Sequence, residues 1–109
     1  MEDQSLSEDN LILGGNIVLS GFKSVDRATM VVVKKIVGSY ARKFSDHTGN
    51  LQQLALNMKP VHSTEKAKIF EIHGKVSTNG KLFTSEVDDR NIFFALDKVL
   101  SKLQTEVMK

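Results

Sequence analysis

The chain has 109 residues, 40% of them hydrophobic and 26% charged, which suits one ordinary globular domain with a single modest core. It holds no cysteine, so a disulfide framework and thiolate metal sites are excluded. No apolar run approaches the roughly 20 residues of a membrane-spanning helix. The start, Met1-Glu2-Asp3-Gln4, is acidic and lacks the basic region of a signal peptide, so a soluble cytoplasmic protein is the expectation. The formal net charge of +2 hides an asymmetry. Glu2, Asp3, Glu8 and Asp9 lie in the first ten residues, which contain no Lys or Arg, so over the rest of the chain fifteen basic residues face nine acidic ones, a net +6. A basic body of this kind fits either an anionic partner or plain solubility charge.

Taken in order, residues 1–15 read as a disordered or weakly ordered acidic extension, and 16–109 as the folded domain. A first strand is centred on Ile17-Val18-Leu19 within the stretch from Leu11 to Phe22, with Gly14-Gly15 as a bend leading into it. Ser24 is positioned to cap a helix from about Val25 to Phe44, with Asp26 in its first turn. Ala28, Val32, Val33, Ile36, Val37, Tyr40 and Phe44 recur at helical spacing along one face of it. Arg27, Lys34, Lys35 and Arg42 share the opposite face, spanning roughly 100° of the helix. Gly38 costs this helix about 1 kcal/mol relative to Ala; close packing on the sheet would explain its presence.

Ser45 to Asn50 reads as a turn. Leu51 to Lys59 alternates, with Leu54, Leu56 and Met58 on the inner side. Pro60 to Glu65 reads as a loop. Lys66 to Ser77 alternates again, with Phe70, Ile72 and Val76 inward. Asn79-Gly80 is a hairpin signal, because a type I′ turn needs positive φ at both central residues. Lys81 to Val87 then returns with Phe83, Ser85 and Val87 inward. An Asp88-Asp89 cap opens a last helix on which Ile92, Ala95, Leu96, Val99, Leu100 and Leu103 form the apolar stripe. Lys98, Lys102 and Lys109 fall within roughly 40° of one another on it.

The order β-α-β-β-β-α implies an α+β fold: a four-stranded mixed sheet with both helices packed on its one apolar face. That arrangement is expected to place Arg27, Lys34, Lys35 and Arg42 beside Lys98 and Lys102 as one basic patch. No catalytic constellation is legible. His47, His62 and His73 lack metal-ligand spacing and read as surface histidines. Asp88-Asp89 is explained by capping, and no nucleophile–base pair stands out. An enzyme is therefore not expected, and no cofactor, metal or small-molecule substrate is implied.

Ser85 to Leu103 resembles the ribosome hibernation-promoting factor and ribosome-associated translation inhibitor family. Phe93, Ala95, Leu96-Asp97 and Lys102-Leu103 fill the places of that family's aromatic, Ala, apolar-Asp pair and Lys-Leu. The stretch Asn16 to Gly21 followed by a basic helix is similar to its opening. Ser101 stands where an acidic residue is frequent, and the chain is similar to the short form, without the C-terminal dimerisation domain. The resemblance implies a cytoplasmic stress-response factor. It would bind 16S-type rRNA of the small ribosomal subunit in the mRNA/tRNA channel and inhibit translation, with Lys98, Lys102, Arg27, Lys34, Lys35 and Arg42 as the rRNA-binding residues and a monomer favoured. Two other readings stay open, a double-stranded-RNA binder and a protein-interaction module. Double-stranded-RNA binders begin with a helix, whereas a strand comes first here.

Overall fold

The computed structural model describes residues 10–59, 62–63 and 68–109. Strands β1 (Asn10–Leu13), β2 (Ile17–Ser20), β3 (Leu51–Met58), β5 (Lys68–Thr78) and β6 (Lys81–Asp89) form one mixed sheet in the order β1-β2-β3-β5-β6. The two-residue β4 (His62–Ser63) pairs with the start of β5. Helix α1 (Arg27–Thr48) follows β2 and helix α2 (Ile92–Val107) follows β6. The expected α+β order is present, with five main strands rather than four. The extra strand is β1. The Gly14-Gly15 bend is a hairpin turn with both glycines at positive φ, and it folds Asn10–Leu13 back onto β2, so the sheet begins before residue 16. Residues 1–9 lie outside those described, as do most of the expected loop from Pro60 to Glu65 and the side chain of His62.

β2 and β3 are parallel, and β3, β5 and β6 are successively antiparallel. The alternation read from the sequence sets the register: Leu19↔Leu56, Leu56↔Gly74, Ile72↔Val87 and Val76↔Phe83 all lie on the inner face. Asn79 (φ 51°) and Gly80 (φ 76°) are both left-handed, as the β5–β6 hairpin requires.

Both helices cover the inner face. Val33, Val37 and Phe44 of α1 and Leu96, Val99, Leu100 and Leu103 of α2 join Leu19, Leu54, Leu56, Ile72 and Val76 in one fully buried cluster. α2 lies against β5 and β6, and α1 against β3 and α2. Because β2 and β6 run the same way and each helix reverses the strand before it, the two helices are parallel. The buried stripe of α1 is narrower than the sequence implies. Ala41 belongs to it, whereas Ala28 and Val32 are exposed, because a single strand and one helix cover only part of the α1 circumference.

The ends of both helices differ from expectation for local reasons. α1 is capped by Asp26, not Ser24: its carboxylate accepts from the Thr29 N–H at 3.1 Å and from the Thr29 hydroxyl at 2.6 Å, which holds the Asp26 carboxyl below the usual carboxylate range. The helix runs four residues past Phe44 and stops where Gly49 adopts φ 75° and donates its N–H to Ser45 O. α2 is capped by Asn91, whose side-chain oxygen accepts from Phe93 N and Phe94 N. Asp88 and Asp89 are the last residues of β6, and Asp89 takes the Asn91 N–H at 2.9 Å.

Two glycines on helix and strand have opposite roles. A Cβ on Gly74 would lie 2.8 Å from Leu103 Cδ1 and 3.2 Å from Val99 Cγ2, so its absence is what lets α2 lie directly on the sheet. A Cβ on Gly38 would meet nothing within 4 Å, so the expected close packing is not its reason. Gly38→Ala should therefore raise stability by about 0.5–1 kcal/mol through helix propensity, and Gly74→Ala should lower it by about 1–3 kcal/mol through overpacking. Urea unfolding of the two variants checks both signs; a destabilised Gly38→Ala would mean that the exposed side of α1 is packed against something.

Candidate nucleic-acid interface

All six basic residues singled out in the sequence are exposed, but the fold does not gather them into one patch. On α1, Lys35 and Arg42 stand nearly opposite the buried stripe at about 100° per residue, while Arg27 and Lys34 turn toward the flank away from Tyr40. Tyr40 marks the side of α1 that meets α2: its hydroxyl donates to Asp97 Oδ1 at 2.9 Å. Burial and the Asp97 carboxylate push the Tyr40 hydroxyl above its ordinary pKa. Lys98 and Lys102 lie on the other flank of α2, facing β6. The Lys98 ammonium is 2.7 Å from Asp89 Oδ2, and that of Lys102 is 3.5 Å from the Glu86 carbonyl oxygen. The body of α2 and its contact with α1 thus separate two cationic rows.

The rows differ in how their charge is used. Among the described residues no carboxylate pairs with Arg27, Lys34, Lys35 or Arg42, and all four are exposed. Lys98 is held by Asp89, whose side chain is only 17% exposed. The hydrogen bond from Lys98, then that from the Asn91 N–H, holds the Asp89 carboxyl below the usual carboxylate range. A cation the sequence reading missed is Lys43, whose ammonium sits 5.0 Å from the centroid of the Tyr40 ring at the helix–helix seam. Its signal is the i,i+3 spacing from Tyr40, which places the two on neighbouring turns of one face. Phe94 is 61% exposed near the start of α2, and Val31 is 50% exposed among the α1 cations. Of the adjacent Phe93-Phe94 pair, Phe93 packs against the core and Phe94 does not.

The outer face of the sheet is mainly polar apart from the exposed Ile12 and Leu82, and among the described residues it holds no run of aromatics: Asn57, His73, Lys75, Thr84 and Glu86 lie on neighbouring strands. His73, facing outward as expected, has Nε2 2.7 Å from Glu71 and Nδ1 3.4 Å from Glu86. That face lacks the stacking platform by which sheet-based modules hold single-stranded bases. Among the described residues no helix is long and apolar enough to cross a membrane.

No protein-family model and no curated protein matches the sequence. Solved structures do match the fold. The N-terminal domain of Thermus thermophilus Protein Y aligns with a TM-score of 0.53 at 17% identity, over 71% of this chain and 80% of that one. A ribosomal subunit interface protein from Coxiella burnetii aligns with a TM-score of 0.52 at 12% identity, over 70% and 78%. The chain shares their fold. The resemblance read from Ser85 to Leu103 therefore holds at the level of architecture, and the two helices that carry the cations are part of that architecture.

The Lys98–Asp89 pair makes a pH-dependent contribution to stability. Because the folded Asp89 carboxyl titrates below its ordinary value of 3.8, its contribution is fully present above that value and is lost as pH falls through the lower, folded pKa. Lys98→Ala should move the Asp89 titration back toward 3.8, with the Asn91 N–H retaining part of the shift. A carbon-detected NMR titration of the Asp89 carboxyl reads this directly, and an unchanged midpoint would show that Lys98 does not hold the carboxylate in solution.

Proposed function

We propose that this protein is a ribosome-associated factor that binds rRNA of the small subunit in the mRNA/tRNA channel and inhibits translation by occupying it. The observation that carries the reading is the fold shared with the Coxiella ribosomal subunit interface protein. Because one fold can host unrelated functions, the reading also rests on charge. Arg27, Lys34, Lys35 and Arg42 form a row of exposed cations along some four turns of α1, without carboxylate partners among the described residues. Such a row suits a structured nucleic acid, where each neutralised phosphate releases condensed counterions and makes affinity fall with salt. The role is one of binding and steric exclusion, with no chemical step.

Within this reading the two helices contribute unequally. Lys98 and Lys102 are engaged with Asp89 and the Glu86 carbonyl, so a phosphate must compete for them. The α1 cations have no such competitor among the described residues.

Co-sedimentation of the purified protein with small ribosomal subunits at low and moderate salt tests the proposal. The expected result is saturable binding near one copy per subunit that weakens as salt rises. Combining Lys34→Glu, Lys35→Glu and Arg42→Glu should weaken it at least about tenfold and lower the log–log salt slope by about one for each phosphate no longer neutralised. Lys98→Glu with Lys102→Glu should cost less. Absence of binding at low salt, where attraction is strongest, would overturn the ribosomal reading. Equal losses from the two sets would overturn the ranking of the helices.

A further inference from the structure

The β6 edge and the adjoining flank of α2 form a groove in which the polyanion reading gives Lys98 and Lys102 only the lesser part. β6 is the last strand of the sheet, and its side away from β5 pairs with no described strand. The two-residue Asn79-Gly80 turn makes Thr78↔Lys81 the pair that closes the hairpin, and such a pair exchanges backbone hydrogen bonds. Counting by twos, Leu82, Thr84, Glu86 and Asp88 then direct their N–H and C=O groups away from β5. The position of Lys102, 3.5 Å from the Glu86 carbonyl oxygen, agrees with that parity. Alongside this edge run two adjoining depressions of about 680 and 600 Å³. They share Glu86 and Lys102 and are walled on the helix side by Lys98, Ser101, Thr105 and Glu106.

We propose that this groove takes an extended peptide segment of a partner protein, added to β6 as a further strand, with acidic side chains at alternate positions and basic ones between them. The backbone of such a segment would pair with the open N–H and C=O groups of β6, as in other cases of strand addition beside a helix. Its side-chain preference follows from the two walls. In the half of the groove beside Lys98 and Lys102, residues facing the helix layer meet these two lysines and residues facing the outer side meet Glu86 and Asp88, so charges of opposite sign alternate there with a period of two. Toward Leu82 and Glu106 the walls set no such pattern. The same walls argue against two other occupants. A nucleic acid presents one sign of charge throughout and would meet Glu86, Asp88 and Asp89 as well as the lysines. A second copy adding β6 to β6 would bring two α2 flanks together, with Lys98 and Lys102 opposite their own equivalents.

The test is NMR titration of the ¹⁵N-labelled full chain with a nine-residue peptide alternating Glu and Lys. Two controls are a peptide of the same composition in which Glu and Lys come in blocks, and the alternating peptide with N-methyl groups on the backbone nitrogens that face β6. The expected result is shifts and exchange protection centred on Leu82, Thr84, Glu86 and Asp88, with further shifts at Lys98 and Lys102. The N-methylated peptide should bind more than about tenfold more weakly, since each backbone hydrogen bond removed is a factor of about five. Lys102→Ala should weaken binding of the alternating peptide several-fold. Equal binding of the block or N-methylated peptide, or no binding at all, would overturn the proposal. So would tighter binding by Lys102→Ala, which would make Lys102 a guard that keeps the edge unpaired, or an oligouridylate that shifts the same four β6 amides. Because ribosomal binding is ascribed chiefly to α1, co-sedimentation that persists while the peptide fails isolates the failure to this groove.

Discussion

The arrangement rests on the contact between α2 and the sheet at Gly74. Leu103 and Val99 occupy the space that a side chain would fill there, and Leu56 crowds the same point from the neighbouring strand. This lets a helix built from small and medium apolar residues sit directly on β5 and β6, and it fixes the height of the helical layer. α1 then packs against α2 and β3, with Val33, Val37 and Phe44 closing the core. Dispersion contacts fall off steeply with a gap of even about 0.5–1 Å, so a bulkier residue at position 74 would loosen contacts along much of the α2 stripe rather than at one point.

That layer also decides where charge goes. A helix lying flat on a sheet keeps cations at its outward face or along its flanks. Among the described residues α1 is open on its outward face and on the flank away from α2, and Arg27, Lys34, Lys35 and Arg42 occupy these, while Lys43 lies at the seam beside Tyr40. α2 is bordered by α1 on one flank and by the β6 edge on the other, so its lysines fall beside backbone carbonyls and the Asp89 carboxylate. The same residue type therefore does two kinds of work. On α1, under the function proposed above, it would supply long-range attraction, strong at low salt and screened within about 10 Å at 0.1 M. On α2 it is drawn into short contacts that fix the end of β6 to the helix that follows.

Much of the fold was legible because alternation and helical periodicity are strong signals for half-buried elements. Leu54-Leu56-Met58, Ile72 and Val76, and the stripe from Ile92 to Leu103 all sit where their spacing placed them. β1 was not legible, since a four-residue strand with Ile12 facing solvent carries little pattern and the glycine pair reads equally well as a bend or a hairpin. The caps were misassigned because Ser24 and Asp26, or Asp88-Asp89 and Asn91, are chemically interchangeable at a helix start; backbone direction on leaving the strand chooses between them. The cations were correctly seen as exposed, but their partition was hidden. Whether two helical stripes merge depends on which flank of α2 meets α1, and that follows from the strand order and the direction of α2 over β5 and β6, with Tyr40 and Asp97, a pair 57 residues apart in sequence, meeting there.

The partition has a mechanical consequence. A surface that binds a polyanion, as proposed for α1, needs cations able to move to phosphates without giving up other partners, and among the described residues Arg27, Lys34, Lys35 and Arg42 have no carboxylate to give up. A surface that positions an extended backbone needs fixed donors and acceptors with charges of both signs at set heights, and the β6 edge has those. The buried stripe from Ile92 to Leu103 thus sets the phase of α2, and the Tyr40–Asp97 contact marks the flank that this phase turns toward α1.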